Sequence, residues 1–387
     1  MQTTMETPII SNRVTTPRVL VADDQLDVVD ALRLVLKDAG LESDGATTIQ
    51  AVRDRLLAGR YDLLLMDLNY ARDTTSGREG LELLAEVHER DPLLPVIVMT
   101  GWGTIDTAVE AMRRGARTFI HKPWDNAALA LTIRREIDEG RTRRQAGAMA
   151  KRERDDARMI QRALLPSSLP QVPCCDIAAI WEPASEFGGD CYDAVALGPD
   201  RIGISIADVC GKGLPAAFLM SNLQASVRAF AAGHAAPAEV AASINRALCG
   251  NPALRTFATF FYAVFNCATR TITFVNAGHN PPILCRADGS VERLSQGGMV
   301  LGVFEHAAYE QREIKLGAGD RVVLFTDGLS ETERNGEDFG DERIVNTALA
   351  HRHEPAAVLL KAIFDRAREF TGGPFADDAT MIAIAIN

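Results

Sequence analysis

The chain has 387 residues, 47% of them hydrophobic and 24% charged, which exceeds what one core ordinarily serves and predicts two folded, soluble domains with a connector. The formal net charge of −11 at pH 7 argues against general nucleic-acid binding, because a duplex is held by an excess of Lys and Arg. No apolar run is as long as a bilayer span and the polar N-terminus lacks a secretory pattern, so we expect a cytoplasmic protein without membrane contact.

The first third of the chain alternates short apolar runs with amphipathic stretches, which is typical of a parallel sheet covered by helices. The strand-like runs are Arg18–Ala22, Asp62–Met66, Pro95–Met99 and Thr118–Ile120. Apolar residues from Val28 to Ala39 recur at helical spacing and predict a helix. We therefore predict a doubly wound α/β domain over residues 17–126, with its ligands at the carboxyl ends of the strands.

Polar residues stand at these strand ends: Asp23 and Asp24, Asp67, Thr100 and Lys122. A phosphorylatable aspartate needs carboxylates that hold a divalent cation and a positive charge beside the phosphoryl oxygens. Asp23 and Asp24 are suited to hold the cation, and Asp67 to act as the nucleophile. Lys122 supplies the charge, and the Thr100 hydroxyl is placed to sense a phosphoryl group. A lone Asp after a strand is usually a turn or cap, so the interpretation depends on the whole set.

Residues 127–166 are rich in charge and show no strand signal. Apolar residues at helical spacing, with Gly140 and Gly147 between them, predict a linker of two helical pieces or one interrupted helix. The basic run from Arg141 to Arg154 is interpreted as a solvated helix face rather than a site for RNA or an acidic membrane. We expect the chain to form a homodimer through this linker.

Residues 167–387 read mainly as strands joined by turns. The strand-like runs are Arg201–Ala207, Phe257–Asn266, Thr271–Asn276, Pro282–Cys285, Arg321–Thr326 and Thr380–Ile386. Helical spacing recurs over Leu214–Ala232 and Pro355–Phe370. This pattern predicts an α+β domain of two packed, mostly antiparallel sheets flanked by helices. The seven cysteines are odd in number and form no Cys-x-x-Cys pair, so we interpret them as ordinary thiols rather than a disulfide framework or a zinc site.

Aspartates of this second domain stand at strand ends or beside glycines: Asp190, Asp208, Asp327, Asp377 and Asp378. Phosphate-ester hydrolysis at a two-metal centre requires several carboxylates from distant segments. Glycines beside them let the backbone approach the ions closely. A single Asp-Gly pair is ordinary turn chemistry, so the interpretation again depends on the series.

The N-terminal motifs resemble the receiver domain of bacterial response regulators. They are Val21-Ala-Asp-Asp24, Leu65-Met-Asp67, Val98-Met-Thr100-Gly and His121-Lys-Pro123. The resemblance implies that Asp67 accepts phosphate from a histidine kinase, that Phe119 moves with Thr100, and that a cis peptide bond precedes Pro123. The implied Mg²⁺ ligands are Asp23, Asp24, Asp67 and the Asn69 carbonyl. The stretch from Asn69 to Gly80 is longer than the usual family loop.

The C-terminal motifs resemble the PPM-type serine/threonine phosphatases, and more narrowly the bacterial branch that regulates sigma factors and sporulation. They are Gly188-Gly-Asp-Cys-Tyr-Asp193, Ala207-Asp-Val-Cys-Gly-Lys-Gly213, Asn276-Ala-Gly-His-Asn-Pro281, Thr326-Asp-Gly-Leu-Ser-Glu331 and Asp377-Asp-Ala-Thr380. The segment Ala157-Arg-Met-Ile-Gln-Arg-Ala-Leu-Leu-Pro166 resembles the helical lead-in of that branch.

The second resemblance implies two Mn²⁺ or Mg²⁺ ions bridged by Asp208. Asp190 and the Val209 carbonyl would serve one ion. Asp327 and Asp377 would serve the other, with Asp378 as a possible neighbour. His279 is open to two interpretations, a structural residue in the turn before Pro281 or a general acid.

The two resemblances together imply a two-component response regulator with a metal-dependent phosphatase as its output. The implied substrate is phosphoserine or phosphothreonine on a regulatory protein, an anti-sigma-factor antagonist. The alternative is a catalytically inactive phosphatase-like protein that sequesters or delivers a regulator under receiver control. A DNA-binding output is disfavoured by the acidic balance and by the lack of a helix-turn-helix-like segment after residue 126.

Overall fold

The computed structural model describes residues 16–70, 78–101, 105–170, 172–233, 236–250 and 256–387. The chain divides into two units, Met1–Glu153 and Arg154–Asn387. The finer boundaries expected at 17–126, 127–166 and 167–387 remain predictions. Over the described residues, no helix combines the length and the apolar character needed to cross a bilayer.

The first unit is an α/β fold with one parallel sheet. Its elements are β1 (Arg18–Ala22), α1 (Leu26–Asp38), β2 (Glu42–Ala46), α2 (Ile49–Ala58), β3 (Leu63–Asp67), α3 (Arg78–Arg90), β4 (Val96–Thr100), α4 (Ile105–Arg113), β5 (Thr118–His121) and α5 (Asn126–Leu164). The strand order is β2-β1-β3-β4-β5, and each neighbouring pair runs parallel. This confirms the doubly wound fold. The sequence analysis missed β2, whose residues Glu-Ser-Asp-Gly-Ala form no apolar run and which pairs with β1 in register Arg18↔Glu42.

Helix α5 begins as part of the core of the first unit. Leu129, Ile133 and Ile137 are buried at successive four-residue intervals and pack in the cluster that includes Val19 and Ile97. This spacing places the three side chains on one face of the helix. The first turns of the linker therefore help to hold the parallel sheet.

The linker is one uninterrupted helix of 39 residues, so the predicted interruption is wrong. Gly140 supports close packing instead of a break, because a Cβ at this position would lie 2.6 Å from the Pro95 Cγ. Gly147 has no neighbour within 4 Å of such a Cβ. A single glycine in a helix costs only about 1 kcal/mol relative to Ala, which a long helix tolerates.

The second unit begins with the end of α5 and then alternates antiparallel hairpins with helices. Its further elements are β6 (Cys175–Glu182), β7 (Cys191–Ala196), β8 (Arg201–Val209), α6 (Leu214–Gly233), α7 (Pro237–Cys249), β9 (Ala258–Asn266), β10 (Thr271–Ala277), β11 (Ile283–Cys285), β12 (Val291–Arg293), β13 (Gly297–Gly298), β14 (Arg312–Lys315), β15 (Arg321–Phe325), α8 (Asp327–Ser330), β16 (Glu333–Arg334), β17 (Glu337–Asp338), α9 (Gly340–Ala350), α10 (Ala356–Thr371) and β18 (Ala379–Ile386).

Two larger sheets form this unit. One has the order β13-β10-β9-β8-β7, with β14 also paired to β10, and the other has the order β12-β11-β15-β18-β6. Successive side chains of β9 explain the layering, because they alternate between two faces. Phe261 and Phe265 enter the apolar layer shared with the second sheet, whereas Phe260 and Tyr262 face α6 and α7. The predicted pair of packed, mostly antiparallel sheets flanked by helices is confirmed.

Several elements of the second unit were not predicted. They are the strands β6 and β7, the helices α7 and α9, and the shortest strands. In α7 the signal was present, since Pro237 stands at the first turn and Val240, Ile244 and Leu248 are buried at helical spacing. The interpretation of all seven cysteines as thiols is wrong for one pair, because Cys174 and Cys267 form a disulfide.

One face of α5 is buried in the core of the first unit and another is exposed, which leads to a prediction about the stability of that unit. Ile133→Ala removes a fully buried side chain and should lower the free energy of opening of the first unit by about 2–5 kcal/mol. Leu131→Ala is the matched control on the same helix, because Leu131 is 72% exposed, and should change it by at most about 0.5 kcal/mol. Hydrogen exchange of the β1 and β3 amides measures both. Equal effects of the two substitutions would show that α5 does not belong to this core.

Candidate functional site

The carboxyl ends of β1, β3 and β5 form an acidic pocket in the first unit. One oxygen each of Asp23, Asp24 and Asp67 can be chosen so that all lie within 4.8 Å of one another. The Lys122 Nζ lies 2.6 Å from Asp23 Oδ2 and 3.1 Å from Asp67 Oδ2. The opposite oxygen of Asp67 accepts a hydrogen bond of 2.8 Å from the Leu68 amide. The pocket thus joins three carboxylates with one ammonium group.

Burial controls the electrostatics of this pocket. It raises the pKa of Asp67, and the repulsion of Asp23 adds to that effect while Lys122 opposes it. Burial alone would lower the pKa of Lys122, but the hydrogen bond to Asp23 and the charges of Asp67 and Asp23 raise it. Lys122 therefore remains a fixed positive charge beside Asp67 at neutral pH.

The other receiver residues lie around the same strand ends. Thr100 is buried at the end of β4, and Phe119 in β5 is half-buried beside the apolar cluster under the sheet. Asn69 is half-buried two residues beyond Asp67. The peptide bond between Lys122 and Pro123 is cis, as the resemblance implied. Residues 71–77 of the longer loop lie outside the described part of the chain.

In the second unit, five aspartates come from four distant segments. Asp190 precedes β7 and Asp208 lies near the end of β8, and these two strands pair through Cys191 and Ala207. Asp327 begins α8 directly after β15, while Asp377 and Asp378 precede β18. Strands β15 and β18 pair through Phe325 and Met381. The pairing of β7 with β8 therefore brings Asp190 near Asp208, and the pairing of β15 with β18 brings Asp327 near the segment that carries Asp377 and Asp378.

Asp190 occupies the most buried position of the five. Its side chain is 1% exposed, and its Oδ2 accepts hydrogen bonds from Thr326 Oγ1 at 2.7 Å and Thr380 Oγ1 at 2.6 Å. The Thr326 hydroxyl also accepts a 3.0 Å bond from the Thr380 amide. A buried carboxylate needs such donors, because its desolvation is otherwise costly. The two threonines therefore link Asp190 to the strands that carry Asp327 and Asp378.

The aspartates repel one another strongly. Burial and the charge of Asp208 raise the pKa of Asp190 well above its ordinary value. Burial, followed by the charges of Asp327, Asp377 and Asp378, raises the pKa of Asp208 to about 7. Burial and Asp377 likewise raise the pKa of Asp327. In the part of the chain that the structure describes, no Lys or Arg forms an ion pair with Asp208. The set of aspartates therefore needs additional positive charge before all of its members can ionise together near pH 7.

A cleft opens beside these carboxylates. Its volume is about 230 Å³, and its lining includes Lys212, Asp327, Glu331 and Asp377. The Lys212 Nζ lies 2.8 Å from Asp377 Oδ2, but both side chains are more than half exposed. An exposed ion pair of this kind contributes little stability, so Lys212 remains available to an anionic ligand of the cleft.

Asp378 has a different environment from its neighbour Asp377. Its Oδ1 accepts a hydrogen bond from the Ala184 amide at 2.8 Å, and its Oδ2 accepts one from the Gly189 amide at 2.6 Å. Both oxygens thus hold the backbone of the loop that leads to Asp190. This arrangement favours a structural role for Asp378 over that of a ligand.

His279 is buried in the turn after β10. Its Nδ1 lies 2.8 Å from Thr259 Oγ1, and its backbone amide donates to the Asn276 side chain at 2.8 Å. Burial lowers the pKa of His279 to about 4, so the ring is neutral near pH 7. A neutral, buried ring is poorly suited to protonate a leaving group, which favours the structural interpretation.

Sequence reasoning assigned no role to several residues of these sites. Thr326 and Thr380 stood inside the quoted motifs, but an apolar strand context gave no sign that their hydroxyls face a carboxylate. Lys212 stood in a glycine-rich turn. Tyr70 is 5% exposed, and its hydroxyl has no hydrogen-bond partner among the residues that the structure describes. Burial and the charges of Asp67, Asp23 and Asp24 raise its pKa.

Comparison with known proteins agrees with this division into two sites. Residues 198–387 match the family described as Stage II sporulation protein E (SpoIIE), and residues 19–134 match the response regulator receiver domain. The chain is 32% identical to the phosphoserine phosphatase RsbU of Bacillus subtilis over 235 residues, which are 60% of this chain and 70% of RsbU.

Two further relatives cover the separate units. The C4-dicarboxylate transport transcriptional regulatory protein DctD of Pseudomonas aeruginosa is 37% identical over 155 residues, which are 38% of this chain and 31% of DctD. The crystal structure of the RsbU and RsbW domains of Rv1364c from Mycobacterium tuberculosis aligns with a TM-score of 0.53 and 28% identity. That alignment covers 58% of this chain and 63% of the other. The chain therefore belongs to the RsbU- and SpoIIE-like phosphatases of the PP2C type and carries a response regulator receiver domain in its N-terminal unit.

Proposed function

We propose that the chain is a two-component response regulator whose output is metal-dependent dephosphorylation of phosphoserine or phosphothreonine on a regulatory protein. The observation that carries this proposal is the pairing of β7 with β8, which places Asp190 beside Asp208 in a domain of a phosphatase family, where the charges of Asp327 and Asp377 also act on Asp208. The phosphatase family is that of RsbU, whose name describes a phosphoserine phosphatase.

The receiver pocket fits a Mg²⁺ ion. Its three carboxylates offer hard oxygen ligands close enough together to share one cation. We assign Asp23, Asp24, Asp67 and the Asn69 carbonyl as the ligands, and Asp67 as the phosphoacceptor. The position of Lys122 beside Asp67 supports its contact with phosphoryl oxygens, and Thr100 with Phe119 forms the switch in this proposal.

The second site offers hard carboxylate oxygens of the kind that divalent cations prefer. Strand pairing places Asp190 beside Asp208, and the charges of Asp327 and Asp377 raise the pKa of Asp208. Among the described residues, however, three carboxylate oxygens lie within 4.8 Å of one another only in the receiver pocket, so the ions themselves would have to draw the second set together. We assign Asp208 as the ligand shared by two Mn²⁺ or Mg²⁺ ions. Asp190 and the Val209 carbonyl serve one ion, and Asp327 with Asp377 serves the other. Such cations supply the Lewis acidity that phosphate-ester hydrolysis requires. Thr326 and Thr380 orient Asp190, and Lys212 attracts the substrate phosphate.

The proposed partners follow from the two units. A histidine kinase supplies phosphate to Asp67, and the substrate is the phosphorylated form of an anti-sigma-factor antagonist or a similar protein. Helix α5 supports control of one unit by the other, because it is a single helix with Ile133 in the core of the first unit and Gln161 buried in the second. In this proposal two copies associate through α5.

The metal assignment is tested by Asp208→Asn. This change should lower Mn²⁺-dependent phosphate release from a phosphoserine peptide at least about 100-fold, because it removes the ligand that both cations share. Asp288→Asn is the matched control at an exposed position and should keep full activity. Retained turnover in Asp208→Asn would contradict the assignment. Inactive wild-type protein that still bound a phosphorylated regulator would support the alternative of a catalytically inactive binding protein.

Removal of metal should expose the repulsion at Asp208 as a dependence of stability on pH. The carboxyl has a pKa of about 7 when folded and 3.8 ordinarily, so between these values the folded state holds a proton that the unfolded state has lost. Stability should therefore fall as pH rises from about 4 to 7 and stay low above that range.

Thermal unfolding in EDTA between pH 5.5 and 7.5 measures this dependence. We expect the melting temperature to fall by at least about 2–4 °C more in the wild type than in Asp208→Asn, the shift that about 1 kcal/mol produces in a unit of this size. Addition of Mn²⁺ at pH 7.5 should restore the melting temperature of the wild type. If the melting temperature falls equally with pH in the wild type and in Asp208→Asn, Asp208 is not the source of the pH dependence.

Control by the receiver is tested with Asp67→Asn and a small-molecule phosphodonor such as acetyl phosphate. The donor should change the phosphatase rate of the wild type at least about fivefold, which corresponds to the lower end of ordinary allosteric coupling. Asp67→Asn should not respond, whereas Asp27→Asn, an exposed control in α1, should respond as the wild type does. Equal responses of wild type and Asp67→Asn would exclude this control scheme.

A further inference from the structure

The last turn of α5 contains a buried glutamine whose amide binds the loop before Asp190. Gln161 is 3% exposed. Its Nε2 donates a 2.6 Å hydrogen bond to the Gly188 carbonyl, and its Oε1 accepts one of 3.3 Å from the Gly188 amide. One side chain therefore satisfies both backbone groups of Gly188.

The opposite side of the same loop is held by Asp378. The Asp378 Oδ2 accepts the 2.6 Å bond from the Gly189 amide, and a Cβ on Gly188 would lie 2.8 Å from that same oxygen. A Cβ on Gly189 would lie 2.8 Å from the Val209 carbonyl oxygen. Because both glycines are in close contact with other groups, the loop has little room to move. Its position is set by Gln161 on one side and by Asp378 and Val209 on the other.

A second amide fixes the end of α5 itself. Gln224 in α6 is 3% exposed, and its Nε2 donates a 2.7 Å bond to the Leu164 carbonyl. The last carbonyls of a helix have no partner within the helix, so this bond satisfies one of them. Gln161 is therefore held in place by the anchoring of the helix that carries it. A displacement of this last turn by about 1 Å would lengthen both bonds to Gly188 beyond hydrogen-bond range.

We propose that Gln161 is a positioning residue for the phosphatase centre, through which the last turn of α5 sets the location of the Asp190 carboxylate. The inference rests on the proposed metal-dependent phosphatase function and adds the contact by which the linker acts on it. Gln161 touches Gly188, two residues from Asp190, and no proposed metal ligand directly. A change in the register or tilt of α5 would therefore alter the centre by releasing Gly188.

Gln161→Met tests this role because methionine keeps the length and volume of the side chain but can neither donate nor accept these bonds. Gln145→Met is the matched control, since Gln145 is exposed on the same helix. Hydrogen exchange of residues 186–190 in the full-length chain reports the loop directly. The Mn²⁺ concentration that half-protects this segment reports local metal binding apart from the receiver pocket. Steady-state kinetics with a phosphoserine peptide gives kcat and KM.

In Gln161→Met we expect faster exchange of residues 186–190 with unchanged protection of β18. The half-protecting Mn²⁺ concentration should rise at least about 10-fold, as is usual when the support of a metal ligand is lost. The kcat should fall while KM for the peptide stays within about twofold. Gln145→Met should match the wild type. Gln161→Glu keeps an acceptor for the Gly188 amide but loses the donor and buries a carboxylate beside the Gly188 carbonyl, so it should show the same changes to at least the same degree.

Two results would overturn the proposal. The first is a Gln161→Met variant in which the exchange rates of residues 186–190 and the half-protecting Mn²⁺ concentration both stay within about twofold of the wild-type values. The other is faster exchange spread evenly over the second unit, which is loss of stability and not of positioning. If Gln161→Met does not fold, the same two comparisons are decided with Gln161→Asn, which keeps a neutral amide but is one methylene too short to make both bonds to Gly188. The two proposals can fail separately. If the wild type releases no phosphate but Gln161→Met still changes the exchange of residues 186–190 and their protection by Mn²⁺, the positioning role of Gln161 stands and the phosphatase function is rejected.

Discussion

Aspartate carboxylates repel one another in both units, closely packed in the receiver pocket and around the partly buried Asp208 in the second unit. This repulsion must be offset for the ionised groups to coexist. Lys122 offsets part of it in the receiver pocket, where it contacts Asp23 and Asp67. In the second unit the hydroxyls of Thr326 and Thr380 hold Asp190, while Asp208 has no ion-pair partner among the described residues. Hydrogen bonds from neutral donors reduce the cost of burying a carboxylate but leave its charge. Divalent cations are the natural counter-charge for such a cluster.

In both units, the pairing of strands in a sheet places the aspartates near one another. In the first unit, parallel strands end at one edge, so residues that follow β1, β3 and β5 meet there. In the second unit, the pairing of β7 with β8 aligns Asp190 with Asp208. The pairing of β15 with β18 brings the segment that follows β15 beside the segment that precedes β18, and these segments carry Asp327 and Asp377. The apolar layers around these strands hold the backbone rigidly. Rigid elements are what a cluster of like charges requires, because a flexible loop would let the charges separate.

The sequence predicted the fold class, which the structure confirms. It also pointed to candidate site residues in both units, because strand-end carboxylates and glycines form ordered series. It did not reveal β2, whose polar residues form a strand only because β1 offers an edge. It also did not reveal the continuity of α5, since the packing of Gly140 on Pro95 depends on tertiary contact. The hydrogen bonds of Gln161, Thr326 and Thr380 could not be predicted for the same reason. Hydroxyls and amides are common in any segment, and only the fold shows which of them face a buried carboxylate or a glycine backbone.

The most direct test of the central claim is the anomalous diffraction of crystals soaked in Mn²⁺. The account predicts two anomalous peaks in the second unit, both within ligand distance of Asp208, one also beside Asp190 and the other beside Asp327 and Asp377. Full-occupancy soaks that leave Asp208 without a peak, while both sheets of the second unit are intact, would contradict it.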